Sequence, residues 1–236
     1  MQLFTKKDTN TMKPIPGTLR VAVIGGGPAA MFFCHALETQ RRLEQTSTKR
    51  TKNHGHNNNN NNNNNKQLSS LQVTCFEKAA TPGGVWKSAA EAASSTTATA
   101  KNHHQHHHKP IYEELWTNSI AYCMEFYDYT FDKHFDGKTI PMYLPRQDVN
   151  EYLLNRVTRS CPNFFEKYFD FGVEVVRVAW IQQSPSPSQQ QQNKKEQEEA
   201  FSVFEVTIRN TQTGQSSVRY FDKCIWAAGM NGMVSI

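Results

Sequence analysis

Val21-Ala22-Val23-Ile24-Gly25-Gly26-Gly27-Pro28-Ala29-Ala30 is the stretch that decides the fold. Four apolar residues read as a buried strand. The Gly-x-Gly-x-x-Ala that follows has the spacing of a dinucleotide-binding turn. Gly25 lets the chain turn tightly out of the strand. Gly27 carries no side chain, so the backbone can approach a diphosphate. Ala30 is small enough for the emerging helix to pack closely on the strand. Pro28 suits the first helical turn, where a missing N–H costs nothing. The free N–H groups at the helix start, from Pro28-Ala29-Ala30 onward, then face an anion.

Outward from the turn, Leu19–Ile24 reads as the first strand and residues 28 to about 42 as a helix with Ala30, Phe33, Cys34 and Leu37 on one face. Leu71–Glu77 resumes as a second strand, completing a βαβ unit. An acidic residue at the end of that strand, here Glu77, accepts both hydrogen bonds of a ribose diol. Its expected place is roughly 20 residues past the glycines. Glu77 stands about 50 residues past Gly27, and setting aside an insertion at 41–70 restores the spacing.

That insertion holds nine consecutive asparagines, Asn57 to Asn65. Residues 88–109 are Ala/Ser/Thr-rich and then His-rich, and residues 182–199 run through Ser/Pro, Gln and Lys/Glu. Such segments bury too little apolar surface to offset chain entropy, so all three are expected to be disordered insertions. Removing them explains the apolar fraction of only 37% in 236 residues. What remains is one domain, 18–236, behind a tail of residues 1–17.

The formal charge of +5 is modest, and no basic stripe with interleaved aromatics is present, which argues against nucleic-acid binding. The five cysteines, at 34, 75, 123, 161 and 224, form no CxxC pair and read as small buried apolar residues of a reducing compartment. Residues 1–13 lack the apolar core of a secretory signal. No run approaches the roughly 18 apolar residues of a membrane span. A cytoplasmic chain is expected. His103, His104, His106, His107 and His108 lie within repeats and lack the fixed supporting groups of a metal site. No metal is expected.

Further along, Thr81-Pro82-Gly83-Gly84-Val85-Trp86 is a turn over which a backbone can approach a ligand, with Trp86 expected to cover the core. Residues 111–136 are dense in aromatics without a clean period. Residues 146–160 have helical spacing at Val149, Tyr152, Leu153, Arg156 and Val157. A strand is expected at 171–181. Residues 201–209 and 218–221, joined through Thr213-Gly214, make a β-meander with it, and residues 224–228 form a last short buried strand.

In this order the residues resemble the amino-terminal part of a flavin-containing monooxygenase. Gly25 to Ala30 resembles the family's FAD turn, and Phe76-Glu77-Lys78 its ribose-binding strand end. Gly83-Gly84-Val85-Trp86 resembles its Gly-Gly-x-Trp segment. Tyr112 to Asn118, with Leu115 and Thr117-Asn118, resembles its Tyr…Leu…Thr-Asn block. Phe126-Tyr127-Asp128-Tyr129 and the block with Tyr143-Leu144, Val149 and Tyr152-Leu153 resemble the next two. Residues 221–229 resemble the Ala-Thr-Gly strand end, with Ala228 in place of Thr. The resemblance covers nearly all of the non-repetitive chain.

It implies an α/β, Rossmann-like FAD-binding domain, a parallel sheet plus a β-meander, from a protein with two dinucleotide-binding domains. It implies FAD, NADPH and O2, with a flavin C4a-hydroperoxide oxygenating a soft nitrogen or sulfur nucleophile or inserting oxygen beside a ketone. The cofactor carries that chemistry. By the same resemblance Asn118 lies near the isoalloxazine ring, as the catalytic candidate. Glu77, Lys78, Gly84, Val85 and Trp86 join the glycine turn at FAD. Val175 sits near the adenine, and Ala228 and Gly229 let the last strand pass close to FAD.

No second Gly-x-Gly-x-x-Gly turn for NADPH occurs, and Gly229-Met230-Asn231-Gly232 is not one. The chain is therefore expected to be the FAD-binding half of a longer enzyme. The alternatives are an FAD-binding module or remnant without turnover, and another two-dinucleotide flavoprotein. Among the latter, an adrenodoxin-reductase-like enzyme begins with a similar turn. A disulfide reductase would need a redox cysteine pair that this sequence lacks.

Overall fold

A computed structural model of the chain describes residues 10, 12–52, 71–88, 114–183 and 201–229. The elements are β1 (Leu19–Ile24), α1 (Pro28–Lys52), β2 (Leu71–Glu77), α2 (Phe131–His134), α3 (Arg146–Thr158), α4 (Phe164–Tyr168), β3 (Phe169–Phe171), β4 (Val173–Gln183), β5 (Phe201–Asn210), β6 (Ser216–Phe221) and β7 (Lys223–Trp226). Short 3-10 turns stand at Gly84–Trp86 and Ala121–Cys123.

β1, β2, β3 and β7 form a parallel sheet in the order β3-β2-β1-β7. β4, β5 and β6 form an antiparallel sheet in that order. The chain steps from β1 to β2 to β3 on one side and returns through the meander to β7 on the other. The carboxyl ends of β1 and β7 thus form a topological switch point, the place where open α/β sheets bind ligands.

Alternation along the strands separates two cores. Val21, Val23, Val73 and Cys75 face α1, α3 and α4, where Met31, Cys34, Val149, Tyr152, Val157 and Phe164 are buried. Ala22 and Phe76 face the meander, where Val206, Ile208 and Phe221 close the opposite side. Tyr152 of α3 organises the aromatic-rich segment. Its ring stacks on Phe126 at 5.5 Å and on Tyr129 at 5.3 Å. Its hydroxyl accepts from the Phe126 N–H at 2.8 Å and donates to the Tyr129 carbonyl. The lack of sequence period there reflects rings gathered around one side chain rather than along one element.

Several boundaries differ from expectation. α1 does not end near residue 42 but continues to Lys52, so residues 41–52 of the expected insertion are helical. The extension is made of good helix formers such as Leu43, Glu44 and Gln45. Arg41 ties it down by donating to the Tyr168 hydroxyl at 3.0 Å and to the Leu71 carbonyl. The expected strand at 171–181 is two strands in two sheets, divided by Gly172 at φ 66°. The second of these continues through Gln182 and Gln183, paired with Ser202 and Phe201, so the third insertion begins later than residue 182. β7 is not fully buried: Lys223 and Trp226 are exposed at the sheet edge. The cysteines are not uniformly buried either, for Cys123 is exposed and Cys224 half-buried. Residues 53–70 and 184–200, the His-rich tract at 103–108, and Tyr112 lie outside the described residues.

Candidate dinucleotide-binding site

The glycine turn leaves the parallel sheet at the switch point. The Gly25 N–H donates to the Phe76 carbonyl and the Ala227 N–H to the Ile24 carbonyl, each at 2.8 Å, which carries both ladders one step beyond the strands. Gly25 has φ 113°, and a Cβ there would lie 2.5 Å from the Ala227 carbonyl oxygen. A side chain is therefore excluded by conformation and by space together. At Gly27 the reverse holds. An added Cβ would meet nothing nearer than Gly84 Cα at 3.8 Å, which leaves that backbone open to a ligand.

Glu77 closes the second side. Its Oε2 accepts from the Gly26 N–H at 2.6 Å and its Oε1 from the Ala79 N–H at 2.9 Å. Two main-chain donors fix the carboxylate against the turn. Lys87, itself buried, brings its ammonium to 3.8 Å from Oε1 and donates to the Thr81 carbonyl at 2.7 Å. The Gly-Gly-x-Trp segment forms the third side. The Gly83 N–H donates to the Gly26 carbonyl at 3.2 Å. Gly84, at φ 57°, approaches so closely that a Cβ would stand 2.9 Å from Gly27 Cα.

Behind that segment stands the amino-terminal turn of α3. Arg146 is 4% exposed and its guanidinium donates to the Trp86 carbonyl at 2.5 Å, while its main-chain N–H donates to the Leu115 carbonyl at 2.8 Å. Residues 115–117 are thereby held against 144–146, with the Thr117 N–H donating to the Leu144 carbonyl at 2.9 Å. Asn118 is the exposed residue that follows.

The structure thus brings Gly25, Gly27, Pro28, Ala30, Glu77, Gly84 and Trp86 around one turn, with Ala29 exposed at the start of α1. Trp86 is half-buried against the helical core, as expected. Val175, at a bulge in β4, packs against the cluster that includes Phe76, the residue before Glu77. Ala228 Cα would be 2.9 Å from a Cβ on Gly25, and Gly229 follows at φ 75°. Lys78 and Val85 are exposed beside the turn. Asn118 is tied to it through the hydrogen bonds of its neighbour Thr117 to Leu144 and of Arg146 to Leu115 and Trp86. Sequence reasoning missed Ala227, Lys87, Arg146 and Asn150. Their roles come from packing between distant segments, which no local spacing announces. Among the described residues no group of three or more His, Cys, Asp or Glu side chains is placed to hold a metal ion, and no helix is long and apolar enough to cross a membrane.

The strand order, the glycine turn at the switch point and the acidic end of β2 define a Rossmann-like dinucleotide-binding fold. Many solved structures share it. Tmm from Pelagibacter sp. superposes with a TM-score of 0.53 at 23% identity, over 89% of this chain and 36% of that one. S-allyl-L-cysteine S-oxygenase from Allium sativum gives 0.51 at 21% identity, over 90% and 36%. No family model matches the chain. In sequence it is 28% identical over 210 residues to trimethylamine monooxygenase from Methylocella silvestris, a match covering 89% of this chain and 36% of the relative. The chain is similar over most of its length to trimethylamine monooxygenases, and it spans about a third of the length of these relatives.

Proposed function

We propose that this chain is the FAD-binding portion of a flavin- and NADPH-dependent monooxygenase that oxygenates soft nitrogen or sulfur nucleophiles with O2. The observation that carries the reading is the Glu77 carboxylate held by the Gly26 and Ala79 N–H groups beside an open Gly27. The residues present fit the cofactor. Gly27 leaves room for a diphosphate over the start of α1. Glu77 presents an anionic acceptor to a ribose diol, and Gly84 lets a second backbone segment approach.

When bound, FAD would supply the oxygen-activating chemistry. The chain's own residues bind and orient. Gly25 to Ala30 would hold the diphosphate. Glu77 would fix the adenosine ribose, and Val175 would lie along the adenine. Gly84 to Trp86, Ala228 and Gly229 would border the flavin side, with Lys78 on the rim. Asn118 would offer an uncharged amide hydrogen bond near the reacting ring. The NADPH and substrate sites belong, in this reading, to the length of the relatives that this chain does not span.

The test is retention of FAD by the purified 236-residue chain. Stoichiometric flavin with altered absorbance supports the reading, and FAD that passes through dialysis unbound sinks it. Adding NADPH without oxygen then separates a complete catalyst from a binding portion: flavin left oxidised places the reductant site outside these residues.

A further inference from the structure

Three side-chain polar atoms are buried without a partner among the described residues: Thr81 Oγ1, Arg146 Nε and Asn150 Oδ1. Each such atom costs folding about 1–3 kcal/mol, so folded proteins hold few of them. All three surround one turn. Thr81 opens it. Asn150 Oδ1 lies against Gly83, where a Cβ would be only 2.7 Å away, and Arg146 donates to the Trp86 carbonyl. Arg146 and Asn150 are four residues apart on α3 and so share a face.

Four contacts tie these segments together. Glu77 lies on Gly26, Gly84 on Gly27, Asn150 on Gly83 and Arg146 on Trp86. One end is the anionic acceptor suited to a ribose. At the other, one N–H donor, one amide oxygen acceptor and one hydroxyl are buried without a partner among the described residues. That set does not suit a phosphate, which brings only acceptors and would oppose the Asn150 oxygen. It suits hydroxyl groups, each of which donates and accepts.

We infer that Arg146, Asn150 and Thr81 form a second polar subsite that binds the hydroxylated ribityl chain at the flavin end of the dinucleotide. The inference rests on the reading that FAD occupies the glycine turn. Burial of these atoms without partners in the ligand-free chain is then the consequence of a site shaped for a polyol.

The test compares two ligands on the full 236-residue chain: FAD, and ADP, which keeps the adenosine diphosphate and lacks the ribityl flavin. Asn150→Leu keeps the side-chain shape and removes the amide. FAD should bind about fivefold to tenfold more weakly, as expected for one lost hydrogen bond, while ADP changes by less than about twofold. The ligand-free Tm should hold or rise, because an unpartnered buried oxygen has been removed. Arg146→Lys keeps the cation and loses Nε, and should repeat the selective loss. Glu77→Gln should weaken both ligands together. If Asn150→Leu lowers the Tm and weakens FAD and ADP equally, the residue is structural and the inference is overturned. If the unaltered chain retains no FAD, the reading of the whole site falls, and this subsite with it. If FAD is retained and Asn150→Leu leaves its affinity unchanged, the subsite alone is wrong.

Discussion

The two ends of β1 treat polar groups in opposite ways. At its amino end Arg20 is fully buried and meets Asp222 through both its main chain and its side chain. The Arg20 main-chain N–H and Nε donate to Oδ2 at 2.7 and 3.2 Å, Nη2 donates to Oδ1 at 2.9 Å, and the Asp222 N–H returns to the Arg20 carbonyl at 2.9 Å. At its carboxyl end Gly27 is open on one side, and three polar atoms nearby have no partner among the described residues. A buried, hydrogen-bonded charge pair fixes the join between the meander and the parallel sheet. At the other end the proposed cofactor would have to satisfy what the fold leaves unpaired, so stability would there be traded for function.

The comparison breaks most visibly at the closed end. Asp222→Ala removes the carboxylate that pairs with the buried Arg20 guanidinium, and should cost about 3–5 kcal/mol in chemical unfolding of the ligand-free chain. Once the protein is folded, its FAD affinity should be unchanged. A small loss, with affinity reduced instead, would place Asp222 at the wrong end. Gly25→Ala comes next. It forces an L-residue to φ 113° with its Cβ 2.5 Å from the Ala227 carbonyl oxygen. A conformation of that kind costs about 1–3 kcal/mol even where the chain can yield. Because the turn must shift to relieve the contact, stability and FAD binding should fall together. A variant that melts at the wild-type temperature would show that the close approach to Ala227 does not exist.

The open end was the more legible of the two. Gly25, Gly27, Pro28 and Ala30 are consecutive or nearly so, and their spacing encodes a backbone path. Glu77 was found by its place at a strand end once the insertion was set aside. The meander was legible because its alternation and its Thr213-Gly214 turn are local. Nothing near Arg20 announces that residue 222 will neutralise it, since the two meet only after the whole meander has folded back. Arg146 and Asn150 were hidden for the same reason. In sequence they are polar positions on an amphipathic helix, and only the fold sets them against Gly83 and Trp86. The end of α1 is not legible in the sequence because residues 43–52 carry few apolar side chains. Helix propensity and the Arg41 contacts to Leu71 and Tyr168 extend it instead.

Glu77→Gln sharpens the comparison by a smaller step, because it changes one group that serves both purposes. The amide NH2 must face one of two main-chain donors now satisfied by the carboxylate, Gly26 N–H or Ala79 N–H. One hydrogen bond is lost and one buried N–H is left unpaired, worth about 1–2 kcal/mol of stability. The same variant should bind FAD about tenfold more weakly, having lost the charged acceptor for the diol. Isothermal titration beside a thermal melt separates the two effects. An unchanged affinity with a lowered Tm would make Glu77 a brace for the turn and nothing more.

The smallest expected effect lies along α1, away from the turn, and it depends on pH. Burial, and then the Arg156 guanidinium, holds the His35 imidazole below its ordinary value of 6.5, against opposing pulls from Asp128 and Glu38. The folded state therefore prefers the neutral ring. As pH falls below about 6.5 the unfolded chain takes up a proton that the folded chain resists, and stability is lost until the folded value is passed. Glu38 moves the same way in a lower window. Burial raises its carboxyl, but hydrogen bonds from Lys167 and Tyr168, with the charges of Lys167 and Arg42, more than offset this and hold it below its ordinary value of 4.5. Its contribution is complete above that value and disappears as pH falls through the depressed one. The Tm of the ligand-free chain should thus decline in two stages on acidification. His35→Gln should flatten the first stage and leave the second, with a residual slope in the first because burial lowers His134 as well. FAD affinity at pH 7 should be untouched, since the groups that perturb His35 belong to α1, α3 and the Asp128 segment rather than to the glycine turn. A first stage of equal size in the variant would mean that the imidazole is protonated in the folded chain and that the Arg156 guanidinium does not face it.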